Sequence, residues 1–129
     1  MSNRWVIFFL LIFVSCLGMK GTFAYRTYQH ETYVKMSDGM EIPEGETFDW
    51  VYRTDSFWGD GTVGIVLQEK QIVWVDIAIN RQKVDKLTPH VYGSVGLLTP
   101  GEYKIVLVDK KKLIDEISFT VYPVSPDEY

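Results

Sequence analysis

Alternation with a period of two is the feature that most constrains this chain. In TFDWVYR (47–53), Phe48, Trp50 and Tyr52 share one side of an extended backbone while Asp49, Val51 and Arg53 take the other. That is the pattern of a strand with one face against a core. Val63, Ile65 and Leu67 repeat it in TVGIVLQ (62–68). In IVWVDIAIN (72–80), Val73, Val75, Ile77 and Ile79 oppose Ile72, Trp74, Asp76 and Ala78. Because the start of this run is apolar on both sides, it is expected at the centre of a sheet. Between the runs lie MSDGMEIPEGE, WGDGT, QEKQ, NRQK and LTPG, which supply the Gly, Pro, Asn and Asp that turns require. Strands are expected near 28–36, 47–54, 62–68, 71–79, 91–97, 102–109 and 113–122. Nothing has helical spacing, so the pattern predicts a single antiparallel β-sandwich of about seven strands.

The first residues follow a different rule. Arg4 precedes an apolar run over 5–17, after which come Gly18, Lys20 and the small residue Ala24. This is the order of a secretory signal, and the run is shorter than the ~20 residues of a spanning helix. Residues 1–24 are therefore read as a signal or membrane-targeting segment, with cleavage after Ala24, and residues 25–129 as the domain. Two rivals stay open: lipid attachment at Cys16, on the lipobox-like Phe13-Val14-Ser15-Cys16, and an uncleaved anchor. Contact with the membrane is expected only through this segment.

Cys16 is the sole cysteine, so a chain cut after Ala24 has no disulfide and no thiol chemistry, and its stability comes from packing. The net charge of −4, more negative once Arg4 and Lys20 are gone, is the wrong sign for a phosphate-binding surface. Nucleic acid is therefore not an expected partner.

The closing stretch LTPGEYKIVLVDKKKLIDEISFTVYP (98–123) reads as two strands around a charged tip. A turn at Thr99-Pro100-Gly101 is followed by Tyr103 and, two residues on, by Ile105; the stretch ends in Phe119-Thr120-Val121. This pattern resembles the last hairpin of bacterial immunoglobulin-like and fibronectin-type-III-like modules. The resemblance implies a tyrosine corner at Tyr103, whose hydroxyl bonds to the backbone a few residues upstream. It sets Ile105 where such domains carry their second cysteine, and Trp74 near the place of a core tryptophan. At the tip the glycine expected by the pattern is missing. One residue of Asp109-Lys110-Lys111-Lys112 then has to take a positive φ, at a cost of about 1 kcal/mol. Modules of this kind mostly bind, space or decorate, so the resemblance speaks to architecture more than to activity.

Catalysis finds little support. His30 and His90 are the only histidines, each in a polar segment or turn and each read as solvated, and no nucleophile elbow, metalloprotease helix or phosphate loop occurs. No catalytic residue, cofactor or metal site is assigned. Asp55 and Asp60 lack the alternating oxygen ligands of a calcium loop and are read as turn formers. Phe57 and Trp58, adjacent aromatics in the 55–61 loop, are candidate contacts for a protein partner or a glycan, as is Tyr92. Val106 and Val108, opposite the core face of Tyr103, Ile105 and Leu107, are candidates for an outer docking surface, joined by Ile114 and Tyr122. Asp38, Glu41, Glu44, Glu46 and Asp49 form an acidic group; Arg81, Lys83 and Lys86 form a basic one. The expectation is a non-catalytic, exported module of the periplasm or cell surface that binds a protein partner in an envelope assembly. A carbohydrate-binding module using exposed aromatics is the alternative.

Overall fold

A computed structural model describes residues 21–28, 31–54, 61–85, 87 and 89–124. Nine strands make up the described chain: β1 (Thr22–Arg26), β2 (Val34–Lys35), β3 (Met40–Pro43), β4 (Phe48–Arg53), β5 (Gly61–Lys70), β6 (Trp74–Val84), β7 (Val91–Val95), β8 (Gly101–Asp109) and β9 (Lys112–Tyr122). They form a four-stranded sheet in the order β2-β1-β4-β7 and a five-stranded sheet in the order β3-β9-β8-β5-β6. Every pairing is antiparallel except β3 with β9, which is parallel. The two-sheet, all-strand architecture is the one the alternation predicts.

The core lies where the alternating faces meet. Phe48, Trp50 and Tyr52 of β4 pack with Val63, Tyr103, Ile105, Leu107, Ile117, Phe119 and Val121 from the opposite sheet. Phe48 meets Phe119 edge-on at 5.3 Å, and Tyr103 stacks on Phe119 at 5.6 Å. Such pairs add to the simple gain from removing apolar area from water.

Tyr103 is the corner residue the hairpin implied. Its ring is 1% exposed, and its hydroxyl donates to the Thr99 carbonyl oxygen at 2.6 Å, four residues upstream. The bond ties down the connection that carries the chain from β7 in one sheet to β8 in the other. Ile105 occupies the core beside it. The glycine-free tip is a two-residue loop in which both Lys110 (φ 55°) and Lys111 (φ 105°) take positive φ, one residue more than the sequence required.

Several elements depart from the expected boundaries. β1 begins within residues assigned to the leader, and of the described residues in the stretch 28–36 only Val34–Lys35 is strand. β3 arises within MSDGMEIPEGE, flanked by turns whose Gly39 and Gly45 have φ of 76° and 90°. It is short, so alternation cannot register, and it exists because β9 offers it a free edge. NRQK continues β6 instead of breaking it, since Asn80 to Val84 pair with Ile65 to Gly61. β6 is also an edge strand and not a central one.

Trp74 is not the core tryptophan; Trp50 is, buried on β4. Trp74 lies under the Lys104 ammonium, which sits 4.5 Å from the ring centroid. The reason is an irregularity in the β5/β6 ladder. Leu67 pairs with Ala78 but Gln68 pairs with Asp76, so Ile77 is an extra residue. Such a bulge exchanges the faces of the strand beyond it. Asp76 consequently points outward with Gln68, whose amide donates to it at 2.7 Å, and Trp74 follows Asp76.

Candidate functional site

The surface with most to offer a partner is the open side of the sandwich, where β6 ends one sheet and β7 ends the other. Ile65 and Leu67 face the core and pair with Asn80 and Ala78, which therefore also point inward. Val66 faces out, and so does its partner Ile79. Ile77 and Ile79 along this edge are exposed, Ile79 at 67%, as are Ile72 and Val73 in the turn that leads into β6, Ile72 almost completely at 98%. Arg81 and Lys83 are exposed further along the same strand. An edge strand carries a row of backbone N–H and C=O groups without a neighbouring strand, and eleven residues is long for an uncovered one.

β7 is treated differently. The Gln82 side chain crosses from β6 and takes the place of a strand partner: its Nε2 donates to the His90 carbonyl at 2.8 Å, and its Oε1 accepts from the Tyr92 N–H at 2.9 Å. Further along, a cleft of about 260 Å³ opens between the two edges, with Ala78, Ile79 and Asn80 on one wall, Gly93, Ser94 and Val95 on the other, and Trp50 at its base. The Trp50 indole lies so close over Gly93 that any side chain there would collide with it. The cleft is mostly apolar and presents no cluster of titratable groups.

The sequence-derived candidates scatter. Tyr92 is 54% exposed on β7, with His90 edge-on to it at 6.5 Å. His90 itself is half-buried, with Nδ1 covered and no hydrogen-bond partner among the described residues, in place of the solvated ring expected. Val106 points outward but is only 7% exposed: Val66 and Glu116 flank it in register, and Lys104 reaches across to Glu116 at 3.5 Å. Val106 is thus withdrawn from the exposed docking set. Val108 is half-buried, Ile114 packs against the core, and Tyr122 is exposed. Phe57, Trp58, Asp55, Asp60, His30 and Cys16 lie outside the described residues. Among those described, no group of three or more His, Cys, Asp or Glu residues is placed to hold a metal ion.

The charged groups separate across the five-stranded sheet. Glu41 belongs to β3 at one edge, and Arg81 and Lys83 to β6 at the other. Two of the acids have structural partners: Asp38 accepts from the Ser118 N–H at 3.1 Å, and Asp49 pairs with Arg26 at 3.6 Å. The β6 edge was missed because 72–80 reads as a central strand; its signal was the Arg and Lys that follow at 81 and 83, since charged residues are common on edges.

No family model matches the chain, and no curated protein matches it. Among solved structures it is similar to a crystal structure of an immunoglobulin-like protein from Pseudomonas aeruginosa, with a TM-score of 0.56 at 18% identity over 78% of this chain and 91% of that one. Together with the two-sheet topology and the Tyr103 corner, this likeness establishes the fold: the chain is an immunoglobulin-like β-sandwich.

Proposed function

We propose that the chain is a non-catalytic, exported module that binds a protein partner in a cell-envelope assembly, docking through the β6 edge. The observation that carries the reading is the exposed apolar group made by Ile77 and Ile79 on an eleven-residue edge strand and by Ile72 and Val73 in the turn that leads into it. An extended partner segment can add to such an edge as a further strand: main-chain hydrogen bonds supply affinity and alternate side chains supply selectivity. Arg81 and Lys83 favour a segment that carries carboxylates beside its apolar residues. Export is supported by Arg4 followed by the apolar run over 5–17.

The test is crosslinked co-purification from the native envelope fraction with a tag after Tyr129, comparing the natural chain with an Ile77→Lys/Ile79→Lys variant. Both residues are exposed, so the variant keeps its fold. One stoichiometric partner, lost in the variant, is the expected result. A partner retained equally by the variant, or none recovered with the natural chain, refutes it. The glycan-binding alternative draws on Tyr92, the exposed aromatic of β7; glycan-array binding abolished by Tyr92→Ala would favour it instead.

A further inference from the structure

β1 is an interior strand of its sheet, with β4 on one side and β2 on the other. It pairs with β4 from Thr22↔Arg53 to Arg26↔Asp49, and the bond after Ala24 falls in its middle. Phe23 is part of the core, 4.7 Å from the Tyr52 ring and 6.0 Å from Trp50, and Ala24 beside it is buried. The Phe23 carbonyl accepts from the N–H of Met36, another core residue, at 2.9 Å, while β2 has β1 as its sheet neighbour.

One residue earlier, the Gly21 N–H donates to the Tyr52 hydroxyl at 2.5 Å, and that hydroxyl donates to Asp115 Oδ2 at 3.0 Å. A side chain on Gly21 would run into the Arg53 carbonyl oxygen. Glycine at this position answers a demand of the folded domain.

We propose that the mature protein keeps β1, so that any leader cleavage falls at or before the Lys20–Gly21 bond and not after Ala24. Hydrolysis of the Ala24–Tyr25 amide would strip Phe23 from the core and the Gly21 donor from Tyr52. It would also leave a charged α-ammonium on Tyr25, opposite buried Trp50, where a charge is costly to desolvate. The small residue at 24 that resembles a signal exit is, in the sheet, a small residue under a neighbouring strand.

Two measurements on the full chain decide this. Protein purified from the native envelope fraction through a tag after Tyr129 is expected to have an intact mass that places its first residue at or before Gly21; a first residue at Tyr25, or anywhere within β1, overturns the proposal. The second is Phe23→Ala, expressed and exported as the full chain. If β1 is retained, the purified variant melts lower by roughly 10 °C or more, as expected for an emptied aromatic core position. Phe23→Leu, which refills most of the space, recovers much of the loss. If residue 23 is removed with the leader, natural and variant proteins have one mass and one melting temperature, which refutes retention.

Discussion

Tyr103→Phe isolates a single hydroxyl. The ring stacked on Phe119 stays, so packing is unchanged, while the 2.6 Å bond to the Thr99 carbonyl disappears. Thr99 Oγ1, 3.2 Å from the same hydroxyl, loses a neighbour as well. A net hydrogen bond contributes about 0.5–1.5 kcal/mol. The upper part of that range applies only if the freed carbonyl stays shielded, and Thr99 is exposed, so water can reach it and the middle of the range is expected. At ~4–8 °C per kcal/mol for a domain of this size, the melting temperature falls by about 5 °C. Urea titration should give a lower midpoint with an unchanged slope, because the surface exposed on unfolding is the same. Tyr92→Phe is the control: that ring is exposed, and such a surface change stays within about 0.5 kcal/mol. If the two variants are indistinguishable, the corner bond does not hold the β7–β8 crossover and the argument from Tyr103 fails.

The β8–β9 tip offers a change in the other direction. Lys110→Asn with Lys111→Gly gives the two positive-φ positions residues suited to them, and equilibrium denaturation should show a gain of ~1–2 kcal/mol; a destabilised variant would contradict the strain argument. On the alkaline side, burial and the nearby Asp115 carboxylate push the Tyr52 hydroxyl from 10.0 up to about 12, against the opposing Gly21 N–H. The folded state then holds a proton that the unfolded chain releases above pH 10. Stability from this group is complete below pH 10 and is lost as pH rises toward 12, by up to ~2–3 kcal/mol. Unfolding followed from pH 9 to 12 should show this slope, and a Tyr52→Phe chain should lack that share of it; equal slopes in both chains would refute the assignment.

Local features of this chain were readable without a structure because they depend on few neighbours. Alternation in 47–53 and 62–68 reports which side of an extended backbone is apolar, and those sides are the core. Tyr103 was legible because its partner lies four residues away, within one turn. The missing glycine at 109–112 forced positive φ for the same reason: a two-residue loop has to turn with whatever residues it holds.

Placement of the strands was a different matter, since hydrogen bonds between residues far apart in sequence decide it. TFAYR is adjacent to an apolar leader and ends in small and polar residues, so only its pairing with β4 reveals a core strand. β3 is too short to display a period and owes its existence to β9. The run 72–80 looks central by composition, yet among the described residues no strand pairs beyond it, and Ile77 as an extra residue turns Trp74 outward. Val106 alternates as an outer residue should, but side chains from adjacent strands cover it. Sequence determined which residues are extended and which sides are apolar, because these are properties of a few consecutive side chains. Tertiary structure alone decided which strand is an edge, which tryptophan is buried and that Thr22–Arg26 pairs within a sheet, because each depends on what distant strands place alongside.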